Sequence, residues 1–442
     1  MAKKQITRRA LLKSTAAAGL AAAPYFVPAR VLGADRPSNR LHIGCIGTGR
    51  MGHGDMRACL QQGLRPAANA RVVAVCDLDS RRAAHARDEV TKFYSQQLAG
   101  LPAPVVDVYE DFRELLARDD IDGVTISTPD HWHGVAAIAA ANAGKDIHLQ
   151  KPLTYTIGEG QRLVEAVRRN NCVFQTGSQQ RSETNFRHVC ELVRNGRLGK
   201  LHTILVMMPT DSGTGDPTPA EPPSNLNYEM WLGPRQAAPY AIDRVHPLDD
   251  FSRPGWLQIE GYCRGMITGW GSHMFDIAQW GHGSDDSGPV AMRASGEFPD
   301  RGLFDVHTNF EAEGEYADGV KLLSRSGQAG VRFEGDDGWI FVERGRMTAE
   351  HPEVLNETVG DGETKLYVSD NHMLNFLTCM RSRKDPICPV EVGHRSNSIC
   401  VITHMAMKLG RALQWDPQRQ RFLDDDEANS MLDYEHRAPW TA

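Results

Sequence analysis

The sequence predicts an α/β protein in which a doubly wound parallel sheet precedes an α+β region with an open, mainly antiparallel sheet. Between residues 41 and 176, short apolar strands alternate with helical stretches, a pattern typical of a parallel sheet covered on both faces. A glycine-rich turn follows the first of these strands. After about residue 290, strand-like segments follow one another without intervening helices, which indicates antiparallel pairing.

The predicted elements of the first half are short and regularly spaced. Strands are predicted at 41–46, 71–76, 123–127, 146–149 and 173–176. Helices are predicted at 81–94, 134–143 and 157–169. The alternation ends near residue 176, so we expect a first domain over residues 38–176 and a second domain over residues 177–442.

The second half begins with a helix and then becomes rich in strands. The predicted helices are 185–195, 371–380 and 390–413, and the predicted strands are 201–207, 290–296, 305–316, 320–324, 331–334 and 339–343. The segment 209–227 is rich in Pro, Gly and Asp and predicts a long loop. A loop of this length is expected to cover a cleft or to contact another subunit, and both alternatives stay open at this point.

The first 34 residues predict a twin-arginine (Tat) export signal that is not part of the fold. Segment 7–13 places Arg8 and Arg9 in a pattern close to the twin-arginine motif, a short apolar run follows at 16–23, and residues 32–34 are the expected cleavage region. The Tat machinery is then an expected partner, and the mature protein is expected in the periplasm or outside the cell. A frayed amphipathic N-terminus is the alternative interpretation.

The charge and hydropathy of the chain argue against two classes of partner. The 442 residues carry a net charge of −7, and removing the six basic residues of the first 34 makes it −13, which argues against a nucleic-acid partner. No other apolar stretch reaches ~18 residues, so no membrane span is expected after processing. The nine cysteines include no paired C-x-x-C motif, and we expect mostly buried free thiols.

A G-x-G-x-x-G hexapeptide follows the first predicted strand and opens a helical stretch, which is the context of a dinucleotide-binding turn. Its residues are Gly47, Thr48, Gly49, Arg50, Met51 and Gly52. Gly47 allows a tight turn, Gly49 lets the backbone approach a pyrophosphate, and Gly52 lets the helix pack closely on the strand. The amides at the N-terminus of the helix then bind phosphate.

A carboxylate at the end of the second strand completes this pattern. Asp77 lies 25 residues after Gly52, near the distance expected for the acid that binds the adenosine ribose. This carboxylate predicts NAD as the cofactor. Arg81 and Arg82 lie nearby and keep NADP open as an alternative.

Three further segments make the sequence similar to the glucose-fructose oxidoreductase / inositol dehydrogenase / MocA (Gfo/Idh/MocA) family. They are Ser-Thr-Pro-Asp-His-Trp-His at 127–133, His-Leu-Gln-Lys-Pro-Leu at 148–153 and Gly-Ser-His-Met-Phe-Asp at 271–276. The family usually has Glu-Lys-Pro in the second segment, where this sequence has Gln150. The resemblance implies a Rossmann domain that binds NAD(P), a substrate domain with an open sheet, and homo-oligomers formed through that sheet.

The resemblance also implies two catalytic residues. Lys151 would lie between the nicotinamide and the reacting hydroxyl, where an ammonium stabilises a developing alkoxide and relays a proton. His273 would be the acid/base histidine, a role that suits an imidazole near neutral pH, and Asp276 would share its helix face. The family's dehydrogenases commonly have an Asp four residues before this His. That position is Gly269 here, so either another acid acts or the chemistry differs.

The other expected site residues lie on two sides of a cleft. On the cofactor side they are Thr128, Pro129, Asp130, His133, Gln150 and Lys151. On the substrate side they are Gln180, Arg181, Arg264, Trp270 and Asp276. Amide and guanidinium groups bind hydroxyls, and tryptophan suits the faces of sugars. His131 and His133 offer metal-binding atoms, but no motif supplies a third and fourth ligand, so no metal site is expected.

These observations predict an exported NAD(P)-dependent oxidoreductase that acts on a sugar, a glycoside or a related polyol. Because free nicotinamide cofactor is scarce outside the cytoplasm, we expect the cofactor to be tightly bound. The alternative is a redox-neutral glycoside hydrolase or lyase that oxidises its sugar transiently. A non-catalytic sugar-binding protein is a third hypothesis, which the presence of both Lys151 and His273 disfavours.

Overall fold

The computed structural model describes residues 39–98, 104–211 and 213–440. The predicted export signal at 1–34, including its twin-arginine motif and cleavage region, lies outside the described residues. Within the described part, no helix is long and apolar enough to cross a membrane. All nine cysteines are buried free thiols, as the sequence predicts.

The first sheet has six parallel strands in the order β3-β2-β1-β4-β5-β6. The strands are β1 (Leu41–Ile46), β2 (Ala70–Cys76), β3 (Asp107–Tyr109), β4 (Gly123–Ile126), β5 (Asp146–Leu149) and β6 (Phe174–Thr176). This confirms the predicted doubly wound sheet. Because all seven residues of β2 are buried, its apolar run covers both faces of the sheet.

Five helices cover this sheet, and each follows a strand. They are α1 (Arg50–Gly63), α2 (Ser80–Gln97), α3 (Phe112–Leu116), α4 (Asp130–Asn142) and α5 (Ile157–Arg169). Local sequence fixes where they begin: the Asp79 side chain caps α2, and Thr156 and Glu159 form a capping box on α5. Consequently the segments between strand ends and helix starts all lie at one edge of the sheet.

The second sheet has nine strands in the order β13-β12-β11-β7-β10-β9-β8-β14-β15. They are β7 (Leu201–Met208), β8 (Ala291–Gly296), β9 (Phe310–Glu315), β10 (Lys321–Ser326), β11 (Gly330–Gly335), β12 (Gly338–Glu343), β13 (Arg346–Ala349), β14 (Leu413–Asp416) and β15 (Arg421–Phe422). Only β7 and β10 pair in parallel, which confirms a mainly antiparallel sheet.

The helices of this half are α6 (Thr184–Arg194), α7 (Tyr228–Leu232), α8 (Met266–Gly269), α9 (Gly271–His282), α10 (His372–Ser382), α11 (Val390–Leu409) and α12 (Asp426–Ser430). Helices α9 and α11 bury one face of the second sheet. Helix α10 instead packs against α1, where Phe376 and Leu377 join the core of the first sheet. The two sheets therefore share helices from the C-terminal part of the chain.

Two predicted boundaries were wrong for identifiable reasons. The helix predicted at 390–413 ends at Leu409, because Gly410 adopts the left-handed conformation that terminates it. Leu413 then begins β14, which pairs with β8. The strand predicted at 305–316 begins only at Phe310.

Candidate active site

The glycine turn between β1 and α1 has the geometry of a dinucleotide-binding turn. Gly47 has a φ of +79°, and a Cβ there would lie 2.7 Å from the carbonyl oxygen of Ser127. A Cβ at Gly52 would overlap the carbonyl oxygen of Gly47. Only glycine fits both positions, and the close packing leaves the first amides of α1 directed at the edge of the sheet.

A cavity opens beside this turn, which we call the strand-end cavity. The glycine turn, Asp77 and the residues after β4 and β5 line one side. The other side comes from α7 and from residues 246–257, which we call the cover segment. Of the sequence-predicted cofactor residues, Gly47, Gly49, Arg50, Met51, Asp77, Thr128, Pro129, Asp130, His133, Gln150 and Lys151 line the cavity. The cavity therefore brings together residues that the sequence scatters over a hundred positions.

Asp77 is held in place at the inner wall of the cavity. One carboxylate oxygen accepts hydrogen bonds from the Thr48 backbone N–H at 2.7 Å and from its hydroxyl at 3.0 Å. The other accepts from the N–H of Asp79 at 2.9 Å. A carboxylate oriented in this way repels a 2′-phosphate and accepts from a ribose hydroxyl, which favours NAD.

Arg81 and Arg82, which kept NADP open as an alternative cofactor, both donate hydrogen bonds to the cover segment. Arg82 donates to backbone carbonyls of 247–250 at 3.0 and 3.1 Å, and its guanidinium lies 5.0 Å from the ring centre of Phe251. Arg81 donates to a carbonyl of the same stretch at 2.7 Å. These contacts fasten the cover segment to α2. Arg82 also lines the cavity with its Nη1 close to Gly49, so NADP stays the alternative cofactor.

His133 joins the turn after β4 to the residues after β5. Its ring nitrogens lie 2.6 Å from the carbonyl oxygen of Pro152 and 3.0 Å from that of Thr128. Two buried polar atoms nearby have no hydrogen-bond partner: the Thr128 hydroxyl and one carboxylate oxygen of Asp130. Since buried polar groups are normally paired, these two atoms fit a polar ligand such as a nicotinamide nucleotide in the cavity.

Lys151 is half-buried and lines the cavity next to Asp130. Burial lowers the pKa of Lys151, and the nearby Asp130 charge opposes this shift. Burial raises the pKa of the Asp130 carboxyl to about 7, against the effect of Lys151. Asp130 thus supplies a carboxyl group beside Lys151, although Gly269 offers none at the position common in the family.

Gln150 contacts a second buried carboxylate, Asp55, which the sequence analysis missed. The Gln150 amide donates to both Asp55 oxygens at 2.9 and 3.1 Å, and the Ser127 hydroxyl donates at 2.7 Å. Burial raises the pKa of Asp55 to about 6. A glutamate at position 150 would oppose Asp55, whereas the amide pairs with it, which explains the departure at Gln150. An isolated Asp three residues after the glycine turn carries no sequence signal for this role.

His273 lies on α9, buried close to Lys151. Burial lowers its pKa well below the usual value, and the charges of Lys151 and Arg344 add to this effect. Its Nδ1 has no hydrogen-bond partner, and its ring centre lies 6.1 Å from that of Trp270. The imidazole is therefore neutral near neutral pH and able to accept a proton.

Gln180 and Trp270 also lie at this end of the site, together with Arg344, which the sequence analysis missed. With its amide oriented to satisfy both neighbours, Gln180 donates to the carbonyl oxygen of His273 at 3.1 Å and accepts from Arg344 Nε at 3.2 Å. The Arg344 guanidinium lies 4.8 Å from the ring centre of Trp270. Arg344 is remote in sequence from every motif, so only the fold brings it here.

Three residues expected to bind substrate are buried in structural contacts. Arg181 pairs with Asp276 and with Asp285, each at 2.7 Å, and Asp276 also accepts from a serine of α11. Arg264 is buried, donates to the backbone of Tyr155 at 3.2 Å and stacks on its ring at 4.5 Å. Since Arg181 and Asp276 already satisfy each other inside the protein, the expectation that these two contact substrate is corrected. Contact of Arg264 with substrate stays a prediction, because within the described part of the chain only its Nε is bound, to the backbone of Tyr155.

The long loop 209–227 does not cover the strand-end cavity. Its Asp211 accepts from the N–H of Met266 at 2.7 Å, and Thr214 accepts from backbone N–H groups of residues 303 and 304. None of its described residues lines the cavity, which the cover segment closes instead. The loop therefore does not have its first expected role at this cavity, and a contact with another subunit stays the other prediction.

The histidines considered as metal ligands contact backbone carbonyls. His131 lies 2.9 Å from the carbonyl oxygen of Trp231, and His133 contacts the carbonyls of Thr128 and Pro152. Elsewhere in the described residues, His53, His85 and Glu89 place their ligand atoms within 4.8 Å of one another. Glu89 there already pairs with His53 and Arg57.

Known proteins share this architecture. The WlbA dehydrogenase from Bordetella pertussis, solved with NADH and UDP-GlcNAcA, superposes with a TM-score of 0.62 at 16% identity over 85% of this chain and 99% of that chain. Levoglucosan dehydrogenase, solved with NADH and levoglucosan, gives a TM-score of 0.58 at 18% identity over 85% of this chain and 99% of that chain. At these identities the comparison establishes the fold.

Two curated relatives match shorter stretches. A glycosyl hydrolase family 109 protein from Shewanella pealeana is 30% identical over 164 residues, 36% of this chain and 33% of the relative. The myo-inositol 2-dehydrogenase from Thermotoga maritima is 26% identical over 166 residues, 38% of this chain and 44% of the relative. This chain thus spans less than half the length of either relative.

Both sheets lie in segments of the chain that match the models of one protein family. Residues 41–178 match the NAD-binding Rossmann fold of an oxidoreductase family, and residues 184–442 match the C-terminal alpha/beta domain of the same family. The first domain, with its glycine turn, Asp77 and unpaired polar atoms, is accordingly an NAD-binding Rossmann domain. The chain belongs to the Gfo/Idh/MocA family of NAD-binding oxidoreductases.

Proposed function

We propose that the protein is an exported enzyme that uses tightly bound NAD to oxidise a hydroxyl group of a sugar, a glycoside or a related polyol. One observation carries the proposal: Lys151 lines the strand-end cavity and lies close enough to His273 and Asp130 to shift both of their pKa values. The names of the relatives support the substrate class, since they include an inositol and a levoglucosan dehydrogenase.

The proposed role of each residue follows from its position in the site. Bound NAD⁺ would supply the acceptor for a hydride from the carbon that carries the hydroxyl. The glycine turn and the N-terminus of α1 would hold its pyrophosphate, and Asp77 would accept a hydrogen bond from its ribose. The Lys151 ammonium stabilises the alkoxide that develops on the substrate, and the neutral His273 takes its proton. The substrate leaves as the corresponding carbonyl compound.

Tight retention of the cofactor is supported by the contacts of the cover segment. Arg81 and Arg82 fasten this segment to α2 beside the strand-end cavity, which would slow the release of a bound dinucleotide. We expect protein purified without added nucleotide to retain NAD(H), identifiable by mass after denaturation. Recovery of protein without any bound nucleotide would contradict tight binding but not NAD-dependent chemistry.

The decisive experiment follows the bound cofactor during reaction with a panel of sugars, glycosides and polyols. Reduction of the cofactor by one compound, seen as the absorbance of the reduced nicotinamide, and its re-oxidation by a ketose or aldose are expected. A panel that leaves the cofactor oxidised and all compounds unchanged would overturn the proposal. Replacing Arg8 and Arg9 by Lys tests export separately, because the precursor is then expected to stay in the cytoplasm.

Redox-neutral cleavage of a glycoside is a second candidate, favoured by the Asp130 carboxyl. Its pKa of about 7 makes it a suitable acid for protonating a leaving group beside Lys151. One relative carries the name glycosyl hydrolase family 109 protein. Cleavage without lasting cofactor reduction, together with uptake of solvent deuterium next to the transient carbonyl, would select this candidate. Lasting reduction without cleavage would exclude it.

We also propose a homo-oligomer formed through the outer face of the nine-stranded sheet. That face presents partly exposed apolar side chains on neighbouring strands, among them Leu205 of β7 and Leu323 of β10. The molar mass measured by light scattering tests this directly. If the wild type and Leu205→Arg both had the mass of a monomer, the proposal would be contradicted.

A further inference from the structure

Arg344 occupies an unusual position for an exposed arginine. It lies in the two-residue turn between β12 and β13, and its guanidinium reaches back over the ring of Trp270 at 4.8 Å. Its Nε donates to Gln180, whose amide in turn donates to the backbone of His273. The side chain is therefore fixed against the wall of the reacting centre and does not extend freely into solvent.

The charge of Arg344 has no counter-ion in the described part of the chain. No carboxylate oxygen lies within 4 Å of its guanidinium there, and Glu183 acts on it only at longer range. Arg346, two residues away on the same hairpin, pairs with Glu343. With Nε bound to Gln180, the two terminal nitrogens of Arg344 remain as a fork of the shape that binds a carboxylate by two parallel hydrogen bonds.

Arg344 adds a positive charge to the side of the reacting centre that holds His273. Arg344 lies close enough to Lys151 and His273 to lower the pKa of both. The buried carboxyls Asp55 and Asp130 oppose its effect on the pKa of Lys151, and no acidic group of the described residues forms an ion pair with Arg344. An anionic group on the substrate would pair with this guanidinium, whereas a neutral sugar would leave it to solvent.

We infer that Arg344 and the Trp270 face form a carboxylate subsite, so that the substrate of the proposed reaction is a sugar acid, such as a uronate, and not a neutral sugar. The carboxylate pairs with the guanidinium fork while the sugar ring lies on or beside the indole. The hydroxyl to be oxidised then faces Lys151 and His273. This inference rests on the proposed function for the reaction, but on different residues for recognition.

The test compares matched pairs of probes at equilibrium, without turnover. Glucuronate and glucose, and galacturonate and galactose, are titrated calorimetrically into protein loaded with NADH. At least one uronate is expected to bind about 10- to 100-fold more tightly than its neutral partner, and Arg344→Gln is expected to remove most of that difference. The matched control is Arg346→Gln, which removes a paired arginine from the same hairpin and is expected to preserve the preference.

The outcomes separate this inference from the proposed function. Equal affinity for acid and neutral partner in every pair, including no binding of either, overturns the subsite. A preference that survives Arg344→Gln, or tighter binding of glucose 6-phosphate than of glucuronate, overturns it as well. A protein that binds uronates through Arg344 but never reduces its NAD⁺ contradicts only the proposed function. NADH affinity and the thermal midpoint show that each variant is folded.

Discussion

The cofactor side and the substrate side of the site are built in different ways. On the cofactor side, the glycine turn, Asp77 and the turn at 127–133 follow the ends of successive strands, so their meeting is a consequence of parallel pairing. On the substrate side, His273 comes from a helix and Arg344 from a hairpin tip of another sheet. These groups meet only through the tertiary fold.

The two arginines of the second half illustrate what this difference means. Arg181 stands next to Gln180 in a segment that resembles a substrate-binding region, yet its charge is neutralised by the buried Asp276 and the half-buried Asp285. Arg344 lies in no motif, yet its guanidinium has no carboxylate partner among the described residues and contacts Trp270 and Gln180. Sequence similarity locates a segment, whereas the partners of a charge decide whether it is structural or available to a ligand.

The largest effect is expected where the two sides meet, at Lys151. Lys151→Met keeps most of the side-chain volume and removes the ammonium, so kcat on the substrate that the panel identifies should fall by about 10²- to 10⁴-fold. The affinity for NAD⁺, measured by fluorescence titration, should change far less. A kcat within experimental error of the wild type would remove Lys151 from the chemistry.

We expect Arg181 to matter more than Arg344 for stability, and Arg344 to matter more than Arg181 for ligand binding. Arg181→Met leaves the buried Asp276 and the half-buried Asp285 without their partner and should lower the free energy of unfolding by about 3–5 kcal/mol. Arg344→Met removes an exposed side chain and should change it by less than about 0.5 kcal/mol. Urea unfolding curves measure both. Similar losses for the two variants would contradict the assignment of Arg181 as structural and Arg344 as available.

The buried acid beside Lys151 should make stability depend on pH. Because burial raises the pKa of Asp130 from 3.8 to about 7, the folded state holds a proton that the unfolded state has released. The free energy of unfolding should therefore decrease as pH rises from about 4 to about 7, by up to about 4 kcal/mol from this group. Asp130→Asn removes this contribution, so its curve should be flatter. Parallel curves for variant and wild type would argue against the raised pKa.

The sequence predicted the cofactor side well because its signals are local. Helix α5 was predicted over its observed span, since Thr156 caps it and its apolar positions recur with helical spacing. Strand β3 was missed because it has three residues, two of them exposed, and so shows no apolar run. It is held by pairing with β2, which a local pattern cannot reveal.

The substrate side was predicted less well because it depends on contacts between distant residues. The partners of Arg181 lie about a hundred positions away, and nothing near Arg181 indicates that two carboxylates meet it. Asp55 and Gln150, 95 positions apart, show the same limit on the cofactor side. The unusual Gln150 was visible in the sequence, but its physical reason required the position of Asp55.

The glycine turn permits a matched comparison within one helix. In Gly52→Ala the new methyl group overlaps the carbonyl oxygen of Gly47, so α1 must shift, and NAD⁺ binding should weaken by about 1–3 kcal/mol. A Cβ at Gly54 would meet no other atom of the described residues within 4 Å. Gly54→Ala should therefore leave NAD⁺ binding unchanged and stabilise the helix by about 0.5–1 kcal/mol. Equal losses of affinity would mean that close packing at Gly52 does not form the cofactor site.

The smallest effect concerns the pair that replaces the family's usual glutamate. Gln150→Glu should place two buried carboxyls in contact and lower the free energy of unfolding by about 1–2 kcal/mol at neutral pH, because one of them must take up a proton. Adding Asp55→Asn restores a donor–acceptor pair with the roles exchanged and should recover most of the loss. If the two substitutions were additive in a double-mutant cycle, Gln150 and Asp55 would act independently, and their pairing would not explain the amide at position 150.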